Sequence, residues 1–281
     1  ELQSVYAQTF SYLDEEGYTA SGVSSQYAYN DAACPANQVL ATRVVPPLLC
    51  PTQAFDMTDP NGYGLTHYLP MVYTDIDPAT GIVNPSKRKA GAMRLGGIAV
   101  SAIKDGMSRT IAIAEDSGRG SELVNPSMIS PYSDPVFTNG TALVWNGTKQ
   151  VTYSQWCSDN HLTSQGLPAG DTATPSGHRV FNRWAEPASA GGVSGQPNSS
   201  LAKLIQPVNG NRTPIGGPPG CPWSQTNCGP NEEIFSWHNS GANVLMCDGS
   251  VRLLGDEIDP RVLRMLITAD ELDIYDDKAV P

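Results

Sequence analysis

Phe235-Ser236-Trp237-His238-Asn239-Ser240-Gly241-Ala242-Asn243-Val244-Leu245-Met246-Cys247-Asp248-Gly249-Ser250-Val251-Arg252-Leu253-Leu254 is the stretch that decides the fold. Residues 242–247 read as a strand, Asp248-Gly249 as a two-residue turn and 250–254 as the return strand. Asp-Gly between strand-like runs is a strong hairpin signal, because a type I′ turn needs positive φ at both central positions. Asp259-Pro260 then predicts a helix start, with a capping carboxylate and a proline at the first helical position. Val262, Leu263, Leu266 and Ile267 supply its apolar face. An acidic tail from Asp270 to Asp277 closes the chain.

Signals weaken with distance from this hairpin. Residues 109–115, rich in β-branched side chains, predict a buried strand after a tight turn at Asp105-Gly106. Residues 142–145 and 150–153 pair across the turn that begins at Asn146-Gly147. One or two short strands are expected in residues 52–93, such as His67-Tyr68-Leu69 and Met71-Val72-Tyr73. Residues 38–45 read as helix turning into strand, stopped by Pro46-Pro47. Leu2, Val5, Phe10 and Leu13 suggest a short N-terminal helix. The 27 Gly and 23 Pro fill the rest with turns and long loops and argue against long helices. With no internal repeat and no compositional break, the expectation is a single α+β, β-rich domain over residues 1–281, an antiparallel sheet closed by the C-terminal hairpin.

Composition narrows the function. The formal net charge is −11, and the densest basic run is only Lys87-Arg88-Lys89. Nucleic acid and anionic lipid both require a basic footprint, so both are excluded as expected partners. An acidic surface attracts cations, calcium among them. No apolar run approaches the ~20 residues of a membrane helix. Cys34, Cys50, Cys157, Cys221, Cys228 and Cys247 are even in number and lack metal-knuckle spacing, so the reading is disulfides and an oxidising location. Six cysteines allow 15 pairings. Cys221–Cys228 is the first choice, Cys34–Cys50 the second, and Cys157–Cys247 follows by elimination. Asn139, Asn146, Asn198 and Asn211 match the N-glycosylation pattern and carry little weight.

The closing stretch, together with Ile258-Asp259-Pro260 through Thr268, resembles the ending of a large bacterial family of prepilin-like, pseudopilin-related proteins of unknown function. Three other segments agree: Asn37 to Pro51; Ile103 to Ile111, carrying Asp105 and Gly106 and leading to Glu115; and Arg183-Trp184-Ala185-Glu186-Pro187 with Gly192-Val193-Ser194-Gly195. In the closing motif the matching positions are His238, Gly241, Asn243, Asp248 and Gly249. The matches run in order through residues 37–268, leaving 1–36 as an N-terminal segment and 269–281 as an acidic tail. The resemblance implies a pilin-like sheet with short flanking helices, an extracellular or cell-surface location, and partners that are other copies or other surface proteins. The family's prepilin peptide and long apolar helix have no counterpart here, which implies an outer domain without its stem or a member that works without one. Ser240 replaces the motif's first glycine, so a less strained backbone is expected there. Cys247 replaces its usual alanine, which suggests an extra disulfide.

Chemistry at single residues is sparse. His67, His161, His178 and His238 show no zinc-enzyme spacing. For His238 the expected role is structural, one ring nitrogen bonded to a loop carbonyl, with metal ligation as the alternative. Glu115-Asp116-Ser117-Gly118 has only a faint likeness to a serine-protease nucleophile segment and lacks the G-x-S-x-G elbow. Glu232 and Glu233 match a glycosidase carboxylate or an exposed charged loop equally. Asp105, Glu115, Asp116 and the tail offer oxygen ligands for calcium without an EF-hand pattern, while Asp105 and Asp248 are expected to serve their turns. The resulting reading is a non-enzymatic structural protein. Its rivals are a carbohydrate- or polymer-binding module using exposed aromatics among Trp145, Tyr153, Trp156, Trp184 and Trp223, of which Trp184 lies in a motif and is expected in the core, and a secreted hydrolase with converging His and carboxylate groups.

Overall fold

The computed structural model describes residues 3–13, 24–26, 29, 31, 33–52, 57–58, 62–94, 97–117, 143–145, 150–152, 183–186, 191–193, 195, 206–209 and 234–272. They fall into two compact units. The first draws on Glu1–His67, Gly120–Val144 and Val151–Ser189; the second on Tyr68–Arg119, Trp145–Gln150 and Ala190–Pro281. The chain passes between the units several times, so no single stretch of sequence could mark a boundary. In chain order the strands are β1 (Tyr68–Thr74), β2 (Lys89–Ala90), β3 (Ile111–Glu115), β4 (Leu143–Trp145), β5 (Gln150–Thr152), β6 (Gly191–Val193), β7 (Gly241–Met246) and β8 (Val251–Gly255). The helices are α1 (Val5–Thr9), α2 (Pro35–Ala41) and α3 (Pro260–Ile267). The fold is mixed α+β and β-rich.

The second unit is built on a six-stranded sheet. Its path is β2-β1-β3-β7-β8, antiparallel throughout, and β6 joins β1 in parallel. Of the one or two strands expected at 67–73 the structure has one, and β1 runs through Pro70. Pro70 is the last residue paired with β3, and pairing with β6 begins at Met71. A residue without an N–H is tolerated where a strand changes partner. Leu69, Met71, Ile111, Val244, Met246 and Leu254 form the core with Leu263, Leu266 and Ile267 of α3. Each such burial contributes roughly 1.5–3 kcal/mol. Helix α3 starts as predicted: the Asp259 carboxylate accepts the Arg261 N–H at 2.8 Å, and Pro260 follows it. β4 and β5 form the expected separate two-stranded sheet.

The predicted hairpin forms one residue shifted at its ends, but its turn is not type I′. Gly249 has φ +86°, whereas Asp248 is not in the positive-φ region. Gly249 N–H donates to Met246 C=O at 3.0 Å, and Met246 N–H donates to Ser250 C=O at 2.8 Å. Asp248 Oδ1 accepts both Ser250 N–H and Ser250 Oγ–H. That side-chain bonding holds a right-handed turn in which the glycine alone takes the left-handed position.

Helix α1 of the first unit is capped by Ser4 Oγ, which accepts Ala7 N–H at 3.1 Å. Its first-unit neighbour in the core is Trp184: the Phe10 and Trp184 rings meet edge-on at 4.8 Å. Gln38 to Val45 was expected to turn from helix into strand; α2 instead ends at Ala41, and a 3-10 turn, Pro46–Leu48, follows.

Disulfide-pinned loops are not found among the described residues. Cys34 and Cys50 are both buried, and no S–S bond joins them. Their backbone N–H groups have different partners: Cys34 N–H donates to Asp31 C=O, and Cys50 N–H donates to the His67 side chain at Nδ1. Cys247 carries a free thiol among the described residues, and the Cys157 expected to pair with it lies outside them. Burial and the neighbouring Asp248 charge push the Cys247 thiol up to about 11. Cys157, Cys221 and Cys228 lie outside the described residues, as do the four Asn-x-Ser/Thr positions, Tyr153, Trp156, Trp223 and Glu232-Glu233.

Candidate functional site

The motif residues of the second unit converge on the segment leading into β7. This segment runs parallel to the end of β3 for one bridge, Asp116 with Phe235. Phe235 N–H donates to Glu115 C=O at 3.0 Å, and Ser117 N–H to Phe235 C=O at 2.9 Å. A second tether comes from Asn209, which carries a positive φ of 57°. Its Oδ1 accepts Ser236 N–H at 2.6 Å, and its Nδ2 donates to Gly241 C=O at 2.9 Å. His238 N–H then donates to Ser236 Oγ at 3.2 Å. The loop is therefore held from both sides before β7 begins.

These tethers aim the His238 ring at a buried carboxylate. His238 Nε2 lies 3.3 Å from Glu115 Oε1; the Glu115 side chain is fully buried and the His238 side chain is 28% exposed. The other oxygen, Glu115 Oε2, accepts Asn243 N–H at 2.7 Å. The Nε2 side of the ring thus has a carboxylate partner. A buried carboxylate is tolerated only when hydrogen-bonded and paired, and Glu115 has one bond and one facing imidazole.

Gly241 follows from a close approach. A Cβ there would lie 2.4 Å from Leu254 C=O. Ser240 departs from expectation: its φ is +68°, so the serine itself sits in the left-handed region. Replacing glycine left the backbone in place and put the strain on Ser240.

The acidic candidates separate. Asp105 Oδ2 accepts Glu271 N–H and Oδ1 accepts Leu272 N–H, so both its oxygens hold the start of the acidic tail. Asp248 serves its turn, and the hydrogen bonds from Ser250 hold its carboxyl below the usual range. Asp116 is buried beside Phe235; its neighbour Glu115 points to the opposite face of the extended chain. Arg264 was missed by sequence reading. It is buried on α3, donates to Ile76 C=O and to Lys87 C=O at 3.0 Å, and pairs with Glu271 through Nε and Nη2, each at 2.9 Å. Only its placement between apolar Leu263 and Leu266 hinted at burial.

Arg183, Trp184 and Glu186 belong to the interior of the first unit. Trp184 is 1% exposed, and its Nε1–H donates to Arg43 C=O at 2.8 Å. Gly64 leaves room for that contact, since a Cβ there would meet Trp184 Nε1 at 2.6 Å. Arg183 lies over the Tyr63 ring at 4.2 Å and donates to Tyr29 Oη at 2.8 Å; Tyr29 Oη–H in turn donates to Glu186 Oε2 at 3.2 Å. His67 accepts Cys50 N–H on Nδ1 at 2.9 Å, which places any single ring proton on Nε2. A family profile described as "Protein of unknown function (DUF1559)" matches residues 4–261.

The chain belongs to this family. Neither the comparison with curated proteins nor that with solved structures gave a match. The DUF1559 match spans both units and takes in Arg183, Trp184, Glu115, His238 and the C-terminal hairpin. Among the described residues no helix is long and apolar enough to cross a membrane.

Proposed function

We propose that the protein is a non-enzymatic extracellular or cell-surface structural protein, a pilin-like subunit that works through contacts with other copies or with other surface proteins. The resemblance to prepilin-like proteins motivates this reading, and one observation supports it. Strand β8 ends the sheet path, and among the described residues it pairs with β7 alone. It carries Val251 at 67% and Leu253 at 50% exposure. Strand alternation sets these two on one face, beside Leu245, which is opposite Val251, and Ile113, which is opposite Leu245; both are only half-buried. An exposed apolar strip on an edge strand is what a soluble monomer avoids and a subunit contact uses.

The test is negative-stain electron microscopy of the native chain beside the Val251→Lys/Leu253→Lys variant. Ordered filaments or arrays that disperse in the variant support the reading. Isolated monomers of the native chain, even with calcium added, refute it and favour the binding-module alternative. That alternative has already lost Trp184 as a surface platform, since the ring is buried.

A further inference from the structure

We propose that Glu115 and His238 supply two protein ligands of a binding site for a divalent transition-metal ion of the zinc class. The argument starts from an unmet valence. Glu115 is fully buried, and its Oε1 accepts no hydrogen bond among the described residues. A buried carboxylate oxygen in that position is costly unless a hydrogen bond or something positive reaches it. What faces it is His238 Nε2, at 3.3 Å. This is the separation of two donors on one small cation: with bonds of about 2.0–2.2 Å to nitrogen and oxygen and tetrahedral angles, adjacent ligand atoms stand a little over 3 Å apart.

The surroundings hold the pair as a ligand set is held. Glu115 Oε2 takes Asn243 N–H, which fixes the carboxylate and leaves Oε1 to the ion. The bridge at Asp116 keeps the chain extended, so Ser117 shares the face of Glu115, and its Oγ is also buried without a hydrogen bond among the described residues. His238 is partly exposed, so an ion has a route in from solvent and water can fill coordination positions. Donor chemistry decides the class. Calcium takes about six to eight oxygens, whereas an imidazole nitrogen beside one carboxylate suits zinc and its first-row neighbours.

Equilibrium dialysis of the full native chain against Zn²⁺, with metal analysis of the retained protein, tests this. His238→Ala and Glu115→Gln are compared with wild type. Glu115→Gln preserves an oxygen for Asn243 N–H; His238→Ala leaves the buried Glu115 without its facing imidazole, so far-UV circular dichroism and a thermal melt establish that each variant folds before uptake is compared. The expected result is about one more zinc equivalent in wild type than in His238→Ala, and at least tenfold weaker uptake in Glu115→Gln. Substituted Co²⁺ should give a d–d absorption spectrum that His238→Ala abolishes. Equal zinc uptake by wild type and His238→Ala overturns the proposal, as does no uptake by wild type at about a thousandfold above micromolar zinc. Should Glu115→Gln fold poorly, the His238→Ala comparison decides the matter.

Discussion

Replacing Ser240 with glycine should stabilise the protein. Ser240 sits at φ +68° immediately before β7. An L-residue in that region costs roughly 1–2 kcal/mol, because its Cβ crowds the following carbonyl. The conformation is imposed from outside: Ser240 C=O accepts Asp256 N–H at 3.2 Å, and next to it Gly241 passes too close to Leu254 C=O for any side chain. The serine side chain is exposed and offers no packing in return. Glycine removes the Cβ penalty but gains about 0.5–1 kcal/mol of unfolded-state freedom. The net expectation is a gain of about 0.5–1 kcal/mol, equivalent to a rise of about 1–4 °C in Tm for a domain of this size. Thermal melts and urea titrations of Ser240→Gly, Ser240→Ala and Ser240→Val measure it. Alanine should fall at or below wild type, and valine clearly below, because β-branching aggravates the same clash. A lower Tm for Ser240→Gly, or a Ser240→Val variant that melts with wild type, would show that Ser240 is not strained and that the reasoning is wrong.

Further expectations concern the same unit. Gly241→Ala should cost about 2 kcal/mol or more in urea unfolding, since its Cβ would overlap Leu254 C=O and push β7 from β8; a loss under about 0.5 kcal/mol speaks against that register. Arg264→Ala should cost about 3 kcal/mol, because two carbonyls lose a donor and Glu271 keeps only the half-exposed Lys89 as an ion-pair partner. Asp259→Ala should cost about 1 kcal/mol at neutral pH through the lost cap. Hydrogen bonding from Arg261 lowers the folded pKa of Asp259, so its contribution is complete above 3.8 and is lost as pH falls through the lower folded value. The gap between the Asp259→Ala and wild-type stability curves should therefore close in strong acid, and a gap independent of pH contradicts the capping role. With its thiol near 11, Cys247 should resist alkylation at pH 8 in the native protein and react on denaturation. Peptide mapping of the alkylated, non-reduced chain checks this, and fast native labelling of Cys247 or a disulfide-linked peptide containing it counts against it.

Local chemistry by itself determined the C-terminal hairpin, the Asp259-Pro260 helix start and the strand ending at Glu115, because each is written in neighbouring residues: a turn pair, a cap, a β-branched run. It also singled out Gly241, Asn243, Asp248 and Gly249, which lie in the closing motif within the DUF1559 match. The turn type was not legible, since the Asp248 side-chain bonds that keep its φ negative compete with the Asp-Gly preference by a margin propensity does not show. Nor was the continuity of β1 through Pro70, which depends on where β3 hands over to β6. Burial of Arg264 was hidden because a lone cation between apolar residues reads as solvent-facing until Glu271 arrives from beyond the helix. The pairing of His238 with Glu115 joins residues more than a hundred positions apart. Only tertiary structure decides such a pair: sequence specifies which side chains are able to meet, while the strand register and the Asn209 tethers select which of them do.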